Sequence, residues 1–109
     1  MQDILVFIKD KSIDLSDMGV KNFALLKNDA LELLIKFEKN SILIYGGDFL
    51  VKKSGSMHYD YMNWSTEGKD FKNNLAYAKR FIEKYAKIDT YIEFVTDIDL
   101  YNMAELEIG

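Results

Sequence analysis

Residues 42–64 read ILIYGGDFLVKKSGSMHYDYMNW and set the architecture of the chain. Ile42–Tyr45 is an aliphatic run that ends at a glycine pair, the pattern of a buried strand. Phe49–Lys52 continues this strand, and Lys53–Ser56, with the letters KSGS, has the composition of a tight turn. His58–Trp64 then alternates between apolar and polar residues, as a returning antiparallel strand does. These features predict a β-hairpin at the centre of the sequence.

Upstream of the hairpin, the pattern predicts a strand followed by a helix. Asn22–Leu26 is a short apolar run that is typical of a strand. Asp29 can serve as an N-cap, with Glu32 three residues later as in a capping box, for a helix over residues 29–38. Together with the first strand of the hairpin, this order suggests a right-handed parallel crossover.

The two ends of the chain supply the remaining elements. Residues 1–18 fit either a helix or a strand, and we favour a helix because Gly19 can close it in the left-handed conformation. Asp70 can cap a later helix, and Tyr91–Ile98 is the last predicted strand. The apolar stripe of that later helix consists of Phe71, Leu75, Ala78, Ile82 and Tyr85.

The predicted fold is therefore α+β, with the order α-β-α-β-β-α-β in one domain over residues 1–109. We expect a mixed sheet of about four strands with two or three helices, of which the split β-α-β fold is one form. A hydrophobic fraction of 49% supports a packed core. Cysteine is absent, no apolar run is long enough to cross a bilayer, and the first run, Ile4–Ile8, has no basic residue before it. These absences exclude disulfides and thiol chemistry and predict a cytoplasmic protein.

Charge is distributed unevenly along the sequence. The net charge is −4, but residues 89–109 carry six acids and no lysine or arginine, whereas the first 88 residues sum to +2. Such an acidic end disfavours nucleic acid and anionic lipid as partners, and it attracts a basic protein surface. An equally simple interpretation is an exposed strand and tail that are solvated by their acids.

The sequence carries no recognisable catalytic or metal-binding motif. His58 is the only histidine, and Asp60 lies two residues later on the same face of the strand. No cysteine, Gly-x-Ser-x-Gly motif or phosphate-binding loop accompanies this pair, and one histidine without cysteine makes zinc a poor fit. We therefore predict no enzymatic activity, no cofactor and no metal.

Two motifs of the hairpin invite a functional interpretation. Gly46–Phe49 is similar to the signature of diguanylate cyclases, but the glutamate of that signature is missing. The glycines are explained more simply by positive φ, by a bulge or by the close approach of another backbone. Tyr59, Tyr61 and Trp64 lack the interleaved basic residues of a nucleic-acid-binding face. We assign these aromatic residues to the core or to a protein interface.

Several segments together resemble the immunity protein 40 family. The likeness spans about residues 15–95, and its most specific parts are Ile42–Asp48, which ends in Gly-Gly-Asp, and Asn63–Trp64. The resemblance implies a bacterial protein that binds and neutralises a toxin domain of a polymorphic or contact-dependent toxin system, and so protects its producer. The residues that match the motifs serve either the fold or the contact surface: Gly46, Gly47, Asp48, Asn63 and Trp64.

Two functional hypotheses of different classes follow. In the first, the chain is an inhibitor whose acidic end occupies the basic groove of a toxin that cuts nucleic acid. In the second, it is a small-molecule-binding domain or an enzyme with a pocket near Gly46–Asp48, His58 and Asp60. We favour the first, because blocking a site requires no catalytic group. Its predicted toxin-binding residues are six acids and two tyrosines: Asp89, Glu93, Asp97, Asp99, Glu105, Glu107, Tyr91 and Tyr101.

Overall fold

The structure, a computed structural model, describes residues 1–66 and 71–107 and the side chains of all of these but 71, 72, 106 and 107. The helices in this part of the chain are α1 (Gln2–Lys11), α2 (Lys27–Lys39), α3 (Phe71–Tyr85) and α4 (Leu100–Glu107). The strands are β1 (Ile13–Asp14), β2 (Phe23–Leu26), β3 (Ile44–Lys53), β4 (Ser56–Ser65) and β5 (Tyr91–Thr96). The predicted Asp70 cap lies outside the described residues.

The strands form one sheet in the order β1-β2-β5-β3-β4. Strand β5 pairs antiparallel with both β2 and β3, so β2 and β3 run in the same direction without pairing. The predicted crossover through α2 is therefore a split β-α-β unit, with β5 inserted between its two strands. The α+β class is confirmed. The sheet differs from the predicted mixed sheet of about four strands, because it has five and each pairing between described strands is antiparallel.

The central hairpin of β3 and β4 is confirmed. Ser54 and Gly55 form its turn with φ values of 52° and 80°, the positive values that a type I′ turn requires. Strand β3 carries an extra residue against β5 at Tyr45, next to the glycine pair where the sequence predicts an irregularity. Strand β4 carries extra residues against β3 between Tyr59 and Asn63. The hairpin is therefore twisted and bulged, not a flat ribbon.

The N-terminal region is a helix followed by a short strand, and α1 ends at Lys11, before the predicted limit near Gly19. Gly19 does adopt the left-handed conformation, with φ of 78°, but it closes a 3₁₀ turn at Ser16–Met18. The second helix begins at Lys27, two residues earlier than predicted, and its N-cap residue makes no side-chain cap bond. Asp29 is thus not the N-cap. It lies in the first helical turn, where its charge favours the positive end of the helix dipole.

The helices pack on one face of the sheet and enclose the main core. At its centre Phe49, Trp64, Phe81 and Phe94 form an aromatic cluster with ring centroids 5.4 to 6.2 Å apart. The opposite face, which we term the open face, carries a smaller cluster of buried Leu15, Ala24 and Leu50 beneath the 3₁₀ turn. The rest of the open face is where the polar side chains of β3, β4 and β5 collect.

The acidic end of the chain is folded and is not an extended tail. After β5 the chain forms α4, which packs against α1 and buries Leu100 and Ala104 in the main core. Of the helices in the described residues, none combines the length and the apolar composition that crossing a membrane would require.

Candidate interaction surface

Strand alternation separates neighbouring motif residues onto opposite faces of the sheet. On β3, Gly47 faces the helices, whereas Gly46 and Asp48 face the open side. The register pairs Gly47 with Trp64 and Asp48 with Asn63. The motif residues therefore divide into a group that packs in the core and a cross-strand pair on the open face, of half-buried Asp48 and exposed Asn63.

The glycine pair is required by close packing and not by positive φ. Neither Gly46 nor Gly47 is among the glycines with positive φ, so that prediction is wrong. A Cβ atom at Gly47 would collide with the Trp64 ring and would lie 2.7 Å from the Glu93 carbonyl oxygen. A Cβ atom at Gly46 would collide with the Trp64 carbonyl oxygen. The alternative that the sequence offered, the close approach of another backbone, is confirmed.

Glu93 is buried on the open face and does not join an exposed acidic surface, contrary to its selection from the sequence as a toxin contact. Its side chain is only 5% exposed. Its Oε1 accepts a hydrogen bond of 2.7 Å from the Tyr59 hydroxyl, and its Oε2 accepts one of 2.9 Å from Asn22 Nδ2. Burial, the hydrogen bond to Glu93 and the charges of Glu93 and Asp48 raise the pKa of Tyr59. The carboxylate thus ties together the segments that carry β2, β4 and β5.

Asp48 lies beside Glu93 on the open face as its cross-strand partner. The Asp48 side chain is half-buried, and burial raises the pKa of its carboxyl group. Within the described residues Asp48 has no ion pair and no side-chain hydrogen bond. Tyr59 and Asn22 donate their hydrogen bonds to Glu93, and the cross-strand neighbour Asn63 donates its own to the Tyr61 carbonyl oxygen. Two carboxylates therefore stand side by side in the part of the sheet that the structure describes, without a cation between them.

Two acids after β5 serve the fold as well as the surface. Asp97 Oδ1 accepts a hydrogen bond of 3.1 Å from the Leu43 amide and so joins the start of β3 to the end of β5. Asp99 caps α4, because its Oδ1 accepts a hydrogen bond of 3.1 Å from the Asn102 amide. Both side chains remain exposed, as does that of Glu105 on α4. These residues can therefore face a partner while they stabilise the chain end.

The other predicted contact residues lie elsewhere. Asp89 is exposed but lies at the opposite end of β5 from Asp97, about 20 Å away along a six-residue strand. Tyr91 is half-buried and packs against the small cluster beneath the 3₁₀ turn. The side chain of Glu107 lies outside those that the structure describes. The eight predicted residues thus do not form one continuous patch.

A depression of about 430 Å³ connects the open face to the acidic end. Asn22 and Val95 line it on the open-face side, and Asp97, Asp99 and Tyr101 line it on the other. The Tyr101 hydroxyl donates a hydrogen bond of 3.0 Å to Asp14, so this predicted contact residue is fixed at the rim. The surface from Val95 to Asp99 is therefore contiguous.

Tertiary structure adds charges to the acidic end that the linear pattern did not reveal. Lys21 borders the depression just described. A neighbouring depression is lined by Lys9 together with Asp14 and Glu105. The end of the molecule is consequently less acidic than the last 21 residues of the sequence. No local signal predicts these neighbours, because they come from the first quarter of the chain.

The pair of His58 and Asp60, on which the disfavoured small-molecule or enzyme hypothesis depends, is not formed. Both side chains are exposed, no hydrogen bond joins them, and Asp60 Oδ1 accepts the Tyr61 amide at 2.7 Å. The space beside the glycine pair is filled by Trp64, and four depressions in the described surface are lined by other residues. The described residues also contain no group of three or more His, Asp or Glu side chains that could hold a metal ion. The geometry thus offers nothing in favour of a small-molecule site near Gly46–Asp48.

Comparison with known proteins identifies one family. The model of the family described as immunity protein 40 matches residues 14–96, which include the second residue of β1, strands β2 to β5, α2 and α3. No curated protein and no solved structure matches the chain. The matched segment contains Asp48, Asn63 and Glu93, whereas Asp97, Asp99 and Glu105 follow it.

Proposed function

The chain belongs to the immunity protein 40 family, and on that premise we propose that it binds and neutralises a cognate bacterial toxin domain in the cytoplasm of the producing cell. It acts without catalysis, by covering the active site or the substrate groove of the toxin. The observation that carries this proposal is the family match over 83 consecutive residues, 14–96, which include the sheet from β2 to β5.

Surface charge supports inhibition by occlusion. Toxins that cut nucleic acid present basic grooves to phosphate, and exposed carboxylates can occupy such a groove. Asp97, Asp99 and Glu105 are exposed near one another, with Tyr101 as an aromatic residue at the same rim. Asp89 is too far along β5 to share this contact. The proposed steering surface is therefore the acidic end without Asp89 and without the buried Glu93.

Protection in cells tests the proposal directly. The cognate toxin is expected as the C-terminal domain of a large secreted protein encoded beside this chain. Expression of that domain alone should arrest a susceptible bacterium, and co-expression of this chain should restore growth. The control is the same chain with a non-cognate toxin domain, which should give no protection. Continued arrest by the cognate domain at matched protein levels would contradict the proposal.

Charge removal tests the steering surface. Replacing Asp97, Asp99, Glu105 and Glu107 by Asn or Gln should leave the fold intact, because an amide oxygen can still accept the bonds that Asp97 and Asp99 make. Association with the toxin domain should slow by about tenfold or more at low salt, and its salt dependence should flatten. The measurement is the association rate at low and moderate salt. Unchanged rates at both would show that these acids are only solvated.

A further inference from the structure

The open face of the sheet is covered over only part of its area in the described residues. The 3₁₀ turn shields the end of the face near Leu50, but the region around Asp48 has no such cover. Val95 on β5 is 45% exposed there, beside Gly46, which has no side chain. Gly46 itself is buried, so Val95 is the apolar side chain that a partner can cover at this position.

Asp48 is the uncompensated charge of this region. It is half-buried next to the fully engaged Glu93, and within the described residues no lysine, arginine or hydrogen-bond donor satisfies it. A partly desolvated carboxylate without a partner costs folding free energy, and burial accordingly raises its pKa. A cation placed beside the carboxylate offsets part of that cost.

One tyrosine lies close to this charge, and a second is exposed further along the same strand. Tyr59 is 44% exposed, with its hydroxyl held by Glu93, and Tyr61 is 98% exposed at the bulge of β4. Exposed tyrosines beside a desolvated charge are typical of the centre of a protein interface. The depression lined by Asn22 and Val95 leads to the acidic end, and Asn22 is hydrogen-bonded to Glu93 beside Asp48, so one partner can contact both regions.

We infer that the toxin docks on the open face of the sheet, with a lysine or arginine side chain of the toxin paired to Asp48. This inference rests on the proposed function and names its central contact, whereas the acidic end supplies steering at the rim. Charge complementarity selects the occupant. A second copy of this chain would bring a second Asp48 toward the first across a symmetric contact, which like-charge repulsion opposes.

The test is the affinity of the purified chain for the toxin domain encoded beside it. Asp48→Asn should weaken binding by at least about tenfold, chiefly through faster dissociation, because an ion pair in a desolvated site is lost. The matched control is Asp10→Asn on α1, an exposed residue of the helical layer, which should change affinity by less than about twofold. Unchanged binding by Asp48→Asn with a tight wild-type complex would overturn the inference and leave the proposed function standing. A wild-type chain that does not bind would overturn both.

Stability distinguishes a contact residue from a structural one. Asp48→Asn should keep or raise the thermal midpoint at neutral pH, since the substitution removes a desolvated charge. Reduced affinity together with a lowered midpoint would instead assign Asp48 to the fold and would overturn the inference. Val95→Lys is a second test of the same contact. It places a positive charge opposite the basic side chain of the toxin without altering Asp48, and it should also abolish tight binding. A chain that dimerises through this face without toxin would assign the face to self-association.

Discussion

The two faces of the central sheet are built from alternate residues of the same strands, yet one is closely packed and the other is accessible. Toward the helices, Gly47, Trp64 and Phe94 pack against one another so closely that a single added carbon would collide. Toward the open side, Asp48 and Asn63 lie one residue away on the same strands and remain accessible. The face toward the helices therefore contains the tightly packed core of the fold.

The difference shows how one short motif can serve two purposes. In Gly46–Asp48 the glycines leave room for the Trp64 ring and carbonyl group, and strand alternation places Asp48, the next residue, on the opposite face. Because the inner face is rigid, the backbone holds the uncompensated carboxylate of Asp48 in place on the outer face. On a flexible loop the same carboxylate could rotate into solvent. This difference can be tested with paired substitutions. In each pair, one changes the packed face or the hydrogen bond to buried Glu93, and the other changes a nearby residue on the accessible side.

The largest effect is expected for Gly47→Val against Asp48→Val. At Gly47 the side chain would meet both the Trp64 ring and the Glu93 carbonyl oxygen, and the carbonyl cannot move without breaking the β3–β5 ladder. The loss of unfolding free energy should exceed that of ordinary overpacking, which is about 1–3 kcal/mol, and the variant should no longer unfold cooperatively. Asp48→Val, on the open face, should melt cooperatively. Equal midpoints of the two variants in thermal denaturation would remove the distinction between the faces.

Truncation of Trp64 should cost less than the backbone collision but more than any surface change. Trp64 is buried against Phe49, Phe81 and Phe94, so Trp64→Ala should lower the free energy of unfolding by about 3–5 kcal/mol. Asn63→Ala, one residue earlier on the accessible side, should change it by less than about 0.5 kcal/mol. Urea denaturation measures both. If Trp64→Ala stays stable and loses only toxin binding, then Trp64 belongs to the interface and not to the core.

The smallest effect is expected at the boundary between the faces. Tyr59→Phe removes the hydrogen bond to Glu93 and should cost about 1–2 kcal/mol near neutral pH, whereas Tyr61→Phe should change nothing because Tyr61 is almost fully exposed.

The pH dependence of this difference follows from the raised pKa of Tyr59. A raised folded-state pKa gives stability that is present below the unfolded value of 10.0 and is lost as the pH rises through the folded value. The advantage of the wild type over Tyr59→Phe should therefore shrink in urea denaturation above about pH 10. A difference that stays constant into this range would mean that the phenol does not resist ionisation.

Local elements could be predicted from the sequence because their causes are local. The hairpin follows from the turn chemistry of Ser54–Gly55 and from the alternation on either side of it, both contained in neighbouring residues. The stripe that predicts α3 and the likeness to the family also depend on short spacings. The N-terminus of α2 was shifted because Asp29 fits a cap and a first-turn position equally well.

The site could be predicted only in part, since exposure is not a local property. Glu93 and Asp97 look alike in the sequence, but one is buried and the other exposed. Alternation alone indicates that Glu93 shares a face with Val95. It does not indicate that Tyr59 and Asn22 converge on that carboxylate.

By itself, the sequence determined the α+β class, the central hairpin and the family, because each is encoded in residues that are close along the chain. Tertiary structure alone decided that β5 lies between β2 and β3, and with it the cross-strand pairing of Asp48 with Glu93. It also joined Asn22 to Glu93 across 71 positions. The pairing of distant strands is settled by the packing of the whole core, so the side chains that meet on its outer face cannot be read from any one segment.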